Sequence, residues 1–577
     1  MIDFKPNDEQ MAAILAIDCN VSVSAGAGSG KTKVLVERFL HILEQDLPDY
    51  RATGKLQLDA GNILAITFTR KAAGEMKERV RKSIEQRLSK GKEVNGFWHK
   101  QLESLNRAQI STIHGLCSRI LRENPVEACL DPAFVVAEEF DSVEFLENCL
   151  DRYLRWELQQ QNAAISKLVV VYGISGFIRL LGDIVPSIDD ITAETDLLKP
   201  YRDSITAEPD LKDRICQLIR DMILNRKDLA SKTSKTGKAL ELMAEMLEEI
   251  CQAIKQSPAD FSKLDEARSG MQARGGLKDY FDEINTLRTS LENIAVDKAA
   301  LELLPCWQEF LTSFSSFVRE QKQELDMLNY DDLENYTVEL LQSRAEVRRK
   351  YQERYHYIMV DEFQDTNDRQ RQFIYLLCGD DAEKLEGQKL FVVGDPKQSI
   401  YRFRGADVSV FARVRREIEA SGGKNLLLNT NYRTVDKILL AVNSAFRLLM
   451  GVDKDKDVYY EKLANYKTGV EVPQMLLVEY DKECGKSKFQ VEAEAVAMAI
   501  EAYHEGRDYE GKQLLAPKVP YGKMAILLRA MTHSEDLAVA LQARGIPYEI
   551  VDGKGFYECQ QVLDMLHFLP PLGTRWH

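Results

Sequence analysis

The chain reads as an α/β protein. It has a parallel sheet interrupted by a large helical insertion, followed by a further α/β stretch. Three observations lead there. Short apolar, β-branched runs alternate with helical patterns over residues 1–124 and again over 346–440. Residues 125–345 are rich in Leu, Glu and Lys, sparse in Gly and Pro, and repeat their apolar positions at helical spacing. A third α/β segment begins near 470, within a domain taken as 441–577, with strands expected at 475–479 and 524–528, a helix opening at Glu492, and a hinge near 435–470.

The first strand is Val21-Ser22-Val23-Ser24, and Val34 to Leu40 carry a helical pattern. Between them lie Ala25, Gly26, Ala27, Gly28, Ser29, Gly30, Lys31 and Thr32. Strand, Gly-rich turn and helix start are the setting in which backbone N–H groups wrap a phosphate chain. Lys31 would reach the outer phosphates of a triphosphate, and the Thr32 hydroxyl would meet Mg²⁺. The usual pattern opens with Gly, where this chain has Ala25. Further strands are expected at 63–68, at 108–113 before a helix near Leu116, at 357–360 and at 390–393.

Composition narrows the class. The chain has 577 residues, 45% apolar and 29% charged, enough for several cores. No run of eighteen apolar residues suggests a membrane span, the start is too polar for a secretory signal, and the ten cysteines form no CxxC pair. A reducing cytoplasm is the expected setting, with no membrane partner. A net charge of −15 argues against coating nucleic acid by bulk charge. A local groove remains open, because Arg70, Lys71, Lys77, Arg79, Arg81 and Lys82 outnumber Glu75 and Glu78 there; a solvated helix face explains the same run.

The strand at 357–360 runs into Asp361-Glu362-Phe363-Gln364-Asp365-Thr366. Carboxylates at the carboxyl end of a parallel strand suit metal work beside a phosphate loop: Asp361 to hold Mg²⁺, Glu362 to polarise the attacking water. Alone, the pair also fits a solvated turn. The next strand ends in Gly394-Asp395-Pro396-Lys397-Gln398-Ser399-Ile400-Tyr401-Arg402-Phe403-Arg404. Gln398 is placed to sense a γ-phosphate, and Tyr401 and Phe403 alternate with Arg402 and Arg404. Flat rings between guanidinium groups suit stacked bases, worth ~1–3 kcal/mol each. By itself the segment also fits a surface loop with half-buried aromatics.

Taken in order, Asn7-Asp8-Glu9-Gln10, AGAGSGKT (25–32), ITFTRKAAGEMKERV (66–80), STIHGLCSRIL (111–121), VDEFQDTN (360–367), VVGDPKQSIYRFRGAD (392–407) and LNTNYRT (428–434) resemble the UvrD/Rep/RecB/AddA group of superfamily-one DNA helicases, nearer the RecB/AddA branch. The resemblance implies a RecA-like parallel-sheet motor domain, split by the insertion, and part of a second. It implies that Gln10 reads adenine, Tyr432 stacks on it, and Arg433 meets the γ-phosphate. Lys31, Asp361, Glu362, Gln398 and Arg433 become the catalytic set, with ATP and Mg²⁺ as cofactors. On the DNA side it points to Phe68, Thr69, Arg70, Thr112, His114, Tyr401, Phe403 and Arg404. His114 also fits a satisfied core histidine. Arg70 stands where UvrD-like members commonly have Asn, and Phe403 where they commonly have Trp.

Gly555-Phe556-Tyr557-Glu558 and 562–566 resemble the family's next element, after which the chain ends at His577. The family's later motifs, including the second motor's arginine, do not follow, so the resemblance covers about the N-terminal half of a relative. The implied function is a 3′ to 5′ translocase or helicase on single-stranded DNA, or on DNA with a 3′ single-stranded tail, in repair or recombination. A RecC/AddB-like partner protein fits the branch. The alternative is an ATP-gated single-strand-binding remnant. An absent arginine finger costs ~10³–10⁵ in rate, so the purified chain is expected to hydrolyse ATP poorly. A DNA-stimulated turnover of roughly tens per second would overturn that expectation.

Overall fold

The computed structural model describes residues 5–551 and 565, apart from 92–94, 138, 185–187, 189–197, 231–233, 257, 270, 272–275, 403–404, 452–457, 470–471, 482–484 and 508–517. The chain divides into two compact units, residues 1–469 and 470–577.

The first unit is built on a six-stranded sheet. Its strands are β1 (Val21–Ala25), β2 (Ile63–Thr67), β3 (Gln109–Thr112), β6 (Tyr357–Val360), β7 (Leu390–Gly394) and β8 (Lys424–Leu428). Two-residue strands β4 (Val135–Val136) and β5 (Met327–Leu328) pair with each other inside the insertion. The sheet order is β3-β2-β6-β7-β1-β8, every pairing parallel. A separate parallel pair joins β9 (Thr430–Val435) and β10 (Ala464–Lys467).

Alternation decides which side chain meets which layer. Leu64, Ile66, Ile358, Val360, Leu390 and Val392 pack on one face, under the helices Ile113–Glu123, Tyr330–Ser343, Asp368–Cys378 and Val408–Ala420. Val21, Val23, Ile63, Ala65, Met359, Phe391 and Val393 pack on the other, under Asp8–Leu15, Lys31–Glu44 and Arg70–Ser89. Burial on both sides explains why these strands read as continuous apolar runs. At the amino edge, buried Asn20 accepts from Leu390 N (3.0 Å) and from Lys424 N (2.9 Å), holding β1 between its neighbours.

The insertion is helical, as its sequence pattern requires, and carries two cores of its own. One gathers Tyr153, Phe177, Trp307, Phe310 and Phe314; the other gathers Ile219, Met222, Leu240, Ile250 and Phe281. Neither shares a residue with the cores flanking the sheet.

The second unit holds the helices Lys488–His504 and Ser534–Ala543, packed through Ala493, Ala497, Ala540 and Leu541. Residues 475–479 and 524–528 form no strand, a correction to the expectation above. A strand exists through its hydrogen-bonded neighbour, and neither segment has one among the described residues. This compact unit begins at 470; ahead of it, β10 pairs with β9 and the helix Asp436–Met450 packs on both. The element anticipated at 555–566 lies outside the described residues, save Met565. Among the described residues no single helix is long and apolar enough to cross a membrane.

Where the insertion returns to the sheet, the buried Tyr351 hydroxyl donates to Glu123 Oε2 (2.8 Å) and accepts from Asn124 Nδ2 (2.8 Å). Tyr351→Phe removes both bonds, while Asn124 Nδ2 keeps Ile120 O and Glu123 keeps Arg119, so a loss of about 0.5–1.5 kcal/mol is expected, read as a lower urea midpoint at unchanged slope.

Candidate nucleotide and DNA site

In a parallel sheet all strands point the same way, and their carboxyl ends line one edge. Along that edge stand, in spatial order, Thr112 and His114 after β3, Phe68 to Arg70 after β2, Asp361 and Glu362 after β6, Asp395 to Tyr401 after β7, the loop 25–32 after β1, and Asn431 to Arg433 after β8.

The loop after β1 is shaped for phosphate. Gly28 and Gly30 have φ of 73° and 88°, a region side-chain-bearing residues avoid. Gly30 caps the helix Lys31–Glu44 with no side-chain hydrogen bond, and its carbonyl accepts from Lys33 N (2.9 Å) and Val34 N (3.1 Å), so the N–H groups ahead of these face the loop. Ser29 Oγ is buried with no partner among the described residues. A cradle of free donors at a helix N-terminus fits a phosphate chain. Gln10, buried, is committed at both ends: its Nε2 donates to Ser29 O (2.8 Å) and its Oε1 accepts from Asn7 N (3.1 Å). Reading adenine requires Gln10 to exchange one of these bonds.

Across the loop, Lys31 Nζ meets Glu362 Oε2 at 2.8 Å, joining residues 331 positions apart. Glu362 sits in the left-handed region (φ 51°), a strained placement of the kind held at working sites. Burial, then the neighbouring Glu362 charge, pushes Asp361 up to about 6. The same two causes push Asp365 up to about 6. Crowded carboxylates beside one lysine repel one another, and positive charge placed among them would relieve that repulsion.

Asn431, Asp395, Lys397 and Glu461 carry no role in the sequence reading, yet they stand beside Tyr432, Arg433 and Gln398, which do. Buried Asn431 donates to Ala27 O (2.6 Å) and accepts from Arg433 N and Thr434 N, clamping 430–434 onto the loop. Tyr432 N donates to Gly28 O (2.9 Å), while its ring lies 4.7 Å from that of Tyr466. The Arg433 side chain is exposed, with its Cβ against Gly28. Gln398 Nε2 donates to Asp395 Oδ2 (2.7 Å), and Lys397 Nζ bridges Asp395 (2.9 Å) and Glu461 (3.0 Å). Their common signal is only a polar residue just past a strand end.

On the β2–β3 side, the Phe68 and Tyr401 rings lie 4.6 Å apart. Thr69 and Thr112 cap the helices Arg70–Ser89 and Ile113–Glu123, their hydroxyls accepting from Ala72 N and Gly115 N. Arg70 is exposed in the first turn of its helix. His114 stacks on Tyr330 at 4.4 Å and meets Glu334 Oε1 at 2.9 Å. That carboxylate also accepts from Asn367 and Gln370, so His114 is tethered yet partly open to solvent. Phe403 and Arg404 lie outside the described residues.

A family model described as the UvrD/REP helicase N-terminal domain matches residues 6–419. The chain belongs to the UvrD/REP helicase family. A second model, the UvrD-like helicase C-terminal domain, matches 426–572. Relatives of this UvrD/REP-type chain include an ATP-dependent helicase/nuclease subunit of Bacillus pumilus (strain SAFR-032), 28% identical over 98% of this chain and 51% of its own length. The protein of the same name from Listeria welshimeri serovar 6b is 28% identical over 97% and 50%, and that from Staphylococcus carnosus (strain TM300) 27% over 99% and 50%. The chain thus spans about half the length of the curated relatives it matches.

Asp361 titrates higher folded than unfolded, so its charge is a penalty that is absent below about 4, grows through about 6, and is full above that. Asp361→Asn is therefore expected to raise the melting temperature of the nucleotide-free chain at pH 8 and to change it little at pH 4.

Proposed function

We propose that this chain is the nucleotide-driven motor portion of an ATP-dependent DNA helicase. It would move 3′ to 5′ along single-stranded DNA, or enter from a 3′ single-stranded tail, in repair or recombination. Family membership supports the ATP and DNA classes; the name of the relatives, a helicase/nuclease subunit, supports a partner chain of the RecC/AddB kind. A cytoplasmic setting belongs to the same reading.

The carrying observation is the shared edge. Nucleotide groups after β6, β7, β1 and β8 adjoin aromatic groups after β2 and β7, and Tyr401 lies three residues beyond Gln398 against Phe68. Lys31 would leave Glu362 for the outer phosphates, freeing that carboxylate to polarise the attacking water. Thr32 and Asp361 would hold Mg²⁺, which supplies charge neutralisation at the phosphates. Gln10 and Tyr432 would hold adenine, and Arg433 the γ-phosphate. Gln398 would pass the state of that phosphate to Tyr401, while Thr69, Arg70, Thr112, His114, Phe403 and Arg404 complete the strand-binding track.

Lys31→Ala is expected to lower ATP hydrolysis by ~10²–10³ while single-strand affinity stays within about twofold. Tyr401→Ala is expected to weaken single-strand binding by about 5- to 150-fold, one lost stack, in a fluorescence-anisotropy titration. A phosphate-loop enzyme acting on protein would show no response to Tyr401→Ala.

A further inference from the structure

Two functional groups proposed above, Glu362 and Gln398, stand after different strands, and one side chain lies between them. Gln364 is 2% exposed. Its Nε2 donates to Glu362 Oε2 (3.0 Å) and to Asp365 Oδ2 (3.1 Å), so one amide holds two carboxylates that would otherwise repel. Its Oε1 accepts from Asp395 N (2.9 Å), and Asp395 Oδ2 accepts from Gln398 Nε2 (2.7 Å). Packing fixes the amide as well as bonding does. A Cβ at Gly394 would sit 2.6 Å from Gln364 Oε1, so β7 admits no side chain there. The Ser399 hydroxyl donates to Gln364 O (3.1 Å), closing the turn around it.

We infer that Gln364 is a positioning residue, aiming the Glu362 carboxylate at the attacking water and joining it, through Asp395, to Gln398. This rests on the reading of Glu362 given above. The Glu362 oxygen bonded by Gln364 is the one that meets Lys31. When the lysine turns to phosphate, the Gln364 amide is the contact that keeps that oxygen in place. A neutral amide does this without adding charge; a carboxylate there would face Glu362 and Asp365 with a third negative group.

Single-turnover hydrolysis, with the 577-residue chain in excess over labelled ATP and single-stranded DNA present, reads slow chemistry separately from binding. Gln364→Met is expected to slow the single-turnover rate about 10- to 100-fold, with the dissociation constant of a fluorescent ATP analogue held within about threefold. In a Glu362→Gln background the same change is expected to slow the rate less than about twofold, because the group it aims is already gone. Gln364→Leu removes both amide contacts without adding charge; it is expected to match Gln364→Met, and it serves if the methionine variant does not fold. An undiminished rate in the variant that folds overturns the inference. So does an equal slowing in both backgrounds, or weakened nucleotide binding that accounts for the loss, since either marks a merely structural residue. If Glu362→Gln alone leaves the rate unchanged, the reading of Glu362 fails and this inference with it, an outcome distinct from Gln364 failing by itself.

Discussion

A parallel sheet has one carboxyl edge, and that constraint gathers groups lying far apart in the chain. Lys31 and Glu362 are 331 positions apart, and Asn431 and Ala27 are 404 apart, yet each pair is bonded because its strands end on the same side. Burial of both faces fixes the register on which this depends. A one-residue slip of β6 against β2 would exchange Ile358 and Val360 with Met359 and turn the carboxylates away from the loop.

Charge is balanced locally along the edge. The Lys31–Glu362 bridge keeps a carboxylate and an ammonium satisfied where the loop otherwise offers only donors. Asp361 and Asp365 are held in surroundings that disfavour their charge. Their mutual repulsion is eased only in part, by Lys31 and by the Gln364 amide. The β2–β3 side carries no comparable cluster among the described residues: its threonines are spent on helix caps, and its rings lie against one another or against Tyr330.

Much of this architecture is legible in the residues. β2, β6 and β7 announce themselves as apolar runs because both of their faces are buried, β1 and the edge strand β3 as shorter β-branched segments before a helical pattern, and the phosphate loop by its setting between strand and helix. β8 escapes, since Lys424 and Asn425 at an edge strand break the run. Residues 475–479 and 524–528 look like strands for the same local reasons that succeeded elsewhere, but pairing is not a local property. Asn431, Gln364 and Asp395 were invisible as participants because each works through backbone or side-chain partners supplied by another strand. Gln10 bonds the loop through Ser29 O, and the Tyr432 backbone N–H bonds Gly28 O, contacts that only the folded chain brings together.

The strand order also sets a timetable for synthesis. β1 leaves the ribosome early, but its two neighbours begin at Leu390 and Lys424. At about 5–20 residues per second, roughly 20–80 s separate β1 from the first of them. Through that interval Val21 and Val23 have no sheet to join, while the insertion's two cores can already form. The loop after β1 is therefore framed on both sides only after Lys424 has been made, and a nascent chain carries a lone strand ahead of it until then.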